Sequence, residues 1–390
     1  MITKLDENTP KIDKTQQINK PNSCVLLLTL SCNLKCKVCQ LWCNKEDRTH
    51  FPSLDKWKAF LDSIEYFINK PFTPLENAAQ GEKNTIKNNA NSNDTAILIK
   101  SVKERPLTGF TVIFGGGEPL LFKDELLVLI AYAHNKGFRT SLATSGYHMT
   151  EEAVKELCAA GLDYIAFSVY SLNGRKQDFL RGVPSSLKKV KEAIALFSQH
   201  GSHVEIAIDT VLMEPNRKDI VRLTKWVLKH KNISRIMFQA VMQPFHTKPL
   251  GDWYSDKEYS FLWPRNVKKM IKIIDNLKKL KRNETKNGQG KVTNSIAQFE
   301  IFKQYFETPN RFIKNKHCPT SGNGHFGIAP DGAITLCPYM KGIGNVKEYS
   351  LEHLWYSQTA CERREEIYSC SRNCHHIVNC WYEEEMFTSM

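Results

Sequence analysis

Six short apolar runs, at residues 23–30, 110–114, 139–144, 164–169, 203–211 and 235–240, alternate with longer amphipathic stretches. The runs have strand length, whereas 53–67, 124–136, 184–200 and 217–231 carry the spacing of one-sided helices. A further helix is predicted after Thr150, which stands as an N-cap before Glu151 and Glu152, with Gly161 just past its end. No hairpin signal joins successive runs, so a parallel sheet is predicted. Right-handed crossovers roll such a sheet into a partial (β/α)6 TIM-like barrel, and place the chemistry at the C-terminal ends of the strands.

The chain carries twelve cysteines, five within residues 24–43 and six within 318–380, with only Cys158 between. Residues 1–22 form a polar segment without a secretory signal, which predicts a cytoplasmic protein and argues against a disulfide framework. Two separated groups predict two metal centres. In the first group Cys32, Cys36 and Cys39 form a CxxxCxxC loop directly after the first strand. Three thiolates on one short loop hold three irons of a [4Fe–4S] cube and leave the fourth open to a small molecule. A zinc knuckle needs a fourth protein ligand, for which the loop offers Cys43 at best, and Cys24 lies before the strand.

The stretch 70–105 is rich in Asn, Lys and Gly and reads as a surface insertion. The second strand ends in Gly115, Gly116, Gly117, Glu118 and Pro119, a turn whose glycines allow close approach of a ligand to backbone. A helix over 265–282, with Val267, Met270, Ile271, Ile274 and Leu277 on one face, leads to a polar link at 283–294. No apolar run reaches the ~20 residues of a membrane span. The formal charge of +13 is spread along the chain without a basic block interleaved with aromatics, so a nucleic-acid partner is not predicted.

The CxxxCxxC loop after the first strand and the GGEP turn after the second together resemble the radical S-adenosylmethionine (radical SAM) superfamily. The resemblance implies a barrel core over residues 23–245 and SAM bound through its amino and carboxylate groups at the open iron. It implies reductive cleavage of SAM to a 5′-deoxyadenosyl radical that abstracts hydrogen from substrate, with a flavodoxin or ferredoxin as electron donor. By the same resemblance Gly115, Gly116, Gly117 and Glu118 face SAM, Ser168 contacts its ribose or carboxylate, and Arg181 pairs with its carboxylate. Ser145 and Asn216 are further candidates, and Val38 stands where the family usually places an aromatic residue against adenine. Tyr170 replaces the acidic residue that often follows Ser168 by two positions.

At the other end, Cys318, Cys337, Cys370, Cys374 and Cys380 resemble the SPASM or twitch extension of that superfamily, with a DG turn between residues 328 and 334 reading as a hairpin that carries Cys337. Five thiolates hold one four-cysteine auxiliary [4Fe–4S] cluster, on Cys318, Cys337, Cys370 and Cys374 or with Cys380 in place of one of them. A zinc ribbon is the alternative for these cysteines. The division follows as a polar segment 1–22, core 23–245, helical bridge and linker 246–316, and cysteine-rich domain 317–390. Relatives of this build modify peptides or proteins, and the positive charge suits an acidic leader peptide. A small-molecule dehydrogenase and a non-catalytic metal-binding homologue are the alternatives.

Overall fold

The computed structural model describes residues 18–44, 47–70, 108–248, 250–286, 290–314, 324–370 and 374–380. Almost all of the anticipated insertion at 70–105, and Cys318, lie outside the described residues.

The six anticipated runs are β1 (Ser23–Thr29), β2 (Thr111–Gly116), β3 (Arg139–Thr144), β4 (Tyr164–Ser168), β5 (Glu205–Leu212) and β6 (Arg235–Ala240). They pair in parallel and in chain order, each with the next. This is the partial (β/α)6 barrel, with α1 (Leu54–Asn69), α2 (Lys123–Asn135), α3 (Glu151–Ala159), α4 (Gly174–Arg181), α5 (Ser186–His200) and α6 (Ile220–Lys229) as crossovers. Thr150 caps α3 through the Ala153 amide, as its position predicts. The helix α4 has no counterpart in the sequence reading. It spans only eight residues, most of them polar, so its apolar period is too short to stand out.

After the barrel come α7 (Val267–Lys286), α8 (Ile296–Glu307) and α9 (Pro309–Lys314), then β7 (His325–Ile328), β8 (Ala333–Thr335), β9 (Gly344–Asn345), α10 (Leu351–Trp355) and α11 (Gln358–Tyr368). Met270, Ile274 and Leu277 bury the anticipated face of α7. The segment 283–294 is more ordered than a polar link. The helix runs on to Lys286, and buried Glu284 accepts from the amides of Lys291 and Val292, which sets Val292 beside Ile236 of β6. The anticipated hairpin is β7–β8, and β7 pairs in parallel with β1, so one nine-stranded sheet runs from β6 through to β9.

Alternation along the strands separates two environments. Val112, Phe114, Leu142, Ile165, Phe167, Ile206 and Ile208 point outward and are buried beneath the helices. On β3, β4 and the first half of β5 the inward faces carry small or polar residues, whereas Val25, Leu27 and Ile113 take that face on β1 and β2. Register sets Ala143, Ala166 and Ala207 side by side as one layer of the barrel interior. Below it lies a layer with Ser141, Tyr164 and Glu205, in which Arg139 and Arg235 both bind Glu205 and flank the Tyr164 ring. Ala143 and Ala166 of this layer line the cavity at the top of the barrel.

Candidate active site

The cysteine loop begins where a bulge between Leu27 and Thr29 breaks the β1–β2 register and turns the chain away from the sheet. Leu34, fully buried, anchors the loop. One side docks on the end of α4: the amides of Lys35 and Lys37 donate to the carbonyls of Arg181 (3.2 Å) and Leu180 (2.9 Å). Gly182 ends that helix at φ +69°, and a Cβ there would collide with the Lys35 carbonyl. On the other side Gln40 donates to Phe245 (2.9 Å) and Phe245 to Val38, a short parallel bridge between the loop and the segment after β6.

Held this way, Cys32, Cys36 and Cys39 line one cavity of about 180 Å³ at the top of the barrel. Amides of Leu34 and Leu41 donate to the sulfurs of Cys32 (3.5 Å) and Cys39 (3.4 Å). Burial outweighs those bonds and pushes both thiols up to about 11, so loading a cationic cluster must release their protons. No three potential ligands among the described residues converge as they would on a single ion. A cubane does not ask for that, because each thiolate binds a different iron. Three sulfurs facing one cavity from one loop therefore fit a [4Fe–4S] cluster.

The Gly-Gly-Gly-Glu-Pro turn forms the adjoining wall. Gly117 and Glu118 donate their amides to the carbonyls of Thr29 (2.7 Å) and Ser31 (2.9 Å), stitching the turn to the start of the cysteine loop. Cβ atoms at Gly116 (φ +132°) or Gly117 would overlap those same carbonyl groups. Both glycines line the cavity, whereas Gly115 lies back within β2 opposite Leu27. Glu118 is buried and turned toward the protein. Its carboxylate accepts from the Leu120 amide, the Thr144 hydroxyl (2.7 Å), and both the amide (2.9 Å) and hydroxyl of Ser145. It ties the ends of β2 and β3 together, and Ser145 and Thr144 face the cavity from that joint.

Opposite stand Ser168, Tyr170 and Arg181. Arg181 is buried, donates to the Tyr170 hydroxyl (3.2 Å), and has an Nε with no partner. Burial works against its charge, but Cys36, Tyr170 and Glu118 outweigh it and hold the guanidinium protonated. An unpaired cationic donor beside the cysteines fits the carboxylate of an amino acid ligand.

Two candidates sit elsewhere. Asn216 is wholly buried and bonded to backbone at Met213, Tyr170 and Val211, so it shapes the end of β5 and does not reach the cavity. Val38 contributes its backbone to the bridge with Phe245 and packs against the core, away from the cavity lining. The aromatic side chain that does line the cavity is Trp42, fixed by a bond from its indole to the Cys39 carbonyl (2.9 Å). Asp209 was also missed. It lies in the middle of β5, half-buried, and only alignment with Ser168 across the sheet brings it to the cavity. Burial pushes its carboxyl up to about 7. A larger hollow of about 410 Å³ on the outer surface between α5 and α6 contains Trp226 and His230 but no cysteine or carboxylate.

At the C-terminal end Cys337 follows β8, Cys370 follows α11, and Cys374 and Cys380 flank a short 3-10 turn, His375–Asn379. Tyr339 senses both Cys337 and Cys374: burial, then those two sulfurs, raise its phenol to about 12. Cys374 and Cys337 thus share surroundings, while Cys380 is buried in the apolar core beside Val378. Asn379 exchanges two hydrogen bonds with Ala240 at the end of β6 (2.8 and 2.9 Å).

The family model of the radical SAM superfamily matches residues 77–227, a stretch holding the glycine turn, Ser168, Arg181 and Asp209. This stretch carries a radical SAM domain. A second model, the SPASM iron–sulfur cluster-binding domain, matches residues 318–381 and takes in the C-terminal cysteines. A radical SAM domain brings with it a [4Fe–4S] cluster and SAM, and the SPASM domain brings auxiliary iron–sulfur binding. Among solved structures, SuiB of Streptococcus suis bound to SAM superposes with a TM-score of 0.59 at 16% identity over 88% of this chain and 68% of that one. SuiB bound to its precursor peptide SuiA gives 0.58 at 14% over 92% and 69%, and anSMEcpe with bound SAM gives 0.56 at 17% over 93% and 88%. These likenesses establish the fold. Among the described residues, no helix of this chain is long and apolar enough to cross a membrane.

Proposed function

We propose that this chain is a radical SAM oxidoreductase that modifies a peptide or protein. The observation that carries this reading is the single cavity shared by Cys32, Cys36, Cys39, the Gly116–Gly117 wall and the unpaired Nε of Arg181. The three cysteines hold the cluster, and Arg181 receives the SAM carboxylate. The carbonyls of the glycine turn would accept from its amino group. Once bound, the cluster and SAM supply a 5′-deoxyadenosyl radical for hydrogen abstraction. The chain's own part is to orient SAM against the cysteine loop and to keep water from the barrel interior. The core is residues 23–245, and 317–390 hold one auxiliary cluster on four of Cys318, Cys337, Cys370, Cys374 and Cys380. A flavodoxin or ferredoxin delivers the electron.

The peptide substrate rests on two supports: the positive net charge, which suits an acidic leader, and the likeness to SuiB, solved with its precursor peptide. Iron and sulfide analysis after anaerobic reconstitution tests the metal centres. About eight irons in the wild type, falling to about four in the Cys32/Cys36/Cys39→Ala variant, is the expected result. Zinc alone in the wild type would overturn it. Formation of 5′-deoxyadenosine from SAM with a chemical reductant tests the activity directly, and no product from fully loaded protein would favour the non-catalytic reading.

A further inference from the structure

The cysteine loop has an outer face as well as an inner one. Cys32, Leu34, Cys36, Cys39 and Trp42 line the cavity, whereas Lys35 and Lys37 are exposed and do not line it. The Lys35 ammonium sits over the Trp42 ring (5.9 Å to its centre), and that of Lys37 over Phe179 of α4 (5.3 Å). Among the described residues neither lysine forms an ion pair, nor does Arg175, exposed one turn before Phe179 on the same helix. Glu258 stands at the margin, where its carboxylate accepts from Gln40 (3.4 Å).

Apolar surface flanks these cations. Phe179 is 53% exposed and packs edge-on against Phe261 (6.4 Å). On the other side of the loop Phe245 and Leu250 are exposed on the segment that bridges to Val38 and Gln40. Gln243 fixes that segment: its side chain donates to Thr247 and to the Lys248 carbonyl, and accepts from the Leu250 amide. An exposed ring on a fixed element has the character of an interface anchor, and unpaired cations beside it select a partner of opposite charge. The lysines flank Cys36 in the chain, so a single thickness of backbone separates this face from the cavity.

We propose that Lys35, Lys37, Arg175, Phe179 and Phe245 form the docking surface for an acidic one-electron carrier protein, a flavodoxin or ferredoxin, which passes its electron through the cysteine loop. Electron tunnelling falls off exponentially with distance, and this face offers the carrier an approach through the loop backbone alone. One electron leaves the reduced flavin or iron–sulfur centre of the carrier and takes the cluster from [4Fe–4S]2+ to [4Fe–4S]+, with no proton or group transferred. The inference rests on the cluster reading of the three cysteines and adds to it the place where the donor sits.

Stopped-flow reduction of anaerobically loaded protein by a photoreduced acidic flavodoxin tests this, with reduced methyl viologen as a small cationic reductant for comparison. Iron content and circular dichroism confirm that each variant is loaded and folded. In the Lys35→Glu/Lys37→Glu variant the flavodoxin rate is expected to fall about tenfold or more relative to the viologen rate at low ionic strength. Near 1 M salt, where the screening length is about 3 Å, that loss should shrink to about twofold. Phe179→Ala, on α4 and outside the loop, should weaken calorimetric binding of oxidised flavodoxin about fivefold or more, and decides the matter if the double variant does not load. An acidic ferredoxin should follow the same pattern. Unchanged rates and binding in both variants, or equal losses for flavodoxin and viologen, would overturn the assignment. Loaded wild-type protein that neither reductant reduces would overturn the cluster reading, and this inference with it.

Discussion

Asp209 ties function to stability at the scale of one residue. A carboxyl group ordinarily titrates near 4, and burial without donors raises this one to about 7. The folded chain therefore binds the proton more tightly than the unfolded chain does. Its contribution is most favourable below about pH 4 and is lost as pH rises through about 7. A rise of about 3 units sets an upper bound near 4 kcal/mol, and access to the open cavity reduces this to roughly 1–3 kcal/mol. In the absence of SAM, Asp209→Asn should thus melt above the wild type at pH 8, with the difference shrinking toward pH 4. Melting curves across that range check it; a gap independent of pH would show that the carboxylate is solvated in the free protein. Arg181 is the complementary case, a cation kept charged by the cysteine and tyrosine around it.

At the scale of elements, the junction between α4 and the cysteine loop decides whether three thiols face one cavity. Two amides of the loop bond to the last carbonyls of α4, and Gly182 lets the helix stop in a left-handed turn against Lys35. Gly182→Ala meets both the unfavourable φ, worth about 1 kcal/mol, and a collision with backbone that cannot swing aside. The expected outcome is a protein that keeps its helical and strand content but loses about four irons, those of the SAM cluster. Iron analysis beside circular dichroism checks this, and full iron content would mean that the loop holds its shape without α4. Glu118 plays the corresponding part between β2 and β3 by spending its carboxylate on Thr144 and Ser145.

For the whole molecule, the C-terminal segment grips the barrel sheet at both edges. Its strand β7 extends the sheet beyond β1, while Asn379 bonds both backbone groups of Ala240 on β6, at the far edge. Gln298 adds a bond from α8 to the Val378 carbonyl. Asn379→Ala would leave the amide and carbonyl of Ala240 unpaired, a loss of about 2–4 kcal/mol concentrated in this segment. Because Cys374 and Cys380 flank the same turn, that variant should lose the auxiliary irons and keep those of the SAM cluster. Iron content with limited proteolysis measures the effect; unchanged iron and unchanged cleavage would place the anchor elsewhere, in β7 and α8.

The sequence by itself determined the alternation of six strands with helices, the CxxxCxxC loop and the glycine turn at successive strand ends, and the grouping of cysteines at the two ends of the chain. Those signals are local, carried by side-chain period, ligand spacing and turn chemistry within a few residues. Tertiary structure alone decided that Asp209 stands beside Ser168, that α4 seats the cysteine loop, that Asn216 and Val38 turn away from the cavity, and that β7 joins β1. Each of these depends on register and docking between segments far apart in the chain. A one-residue slip in a strand reverses which side chains face inward, so no window of local sequence records the outcome.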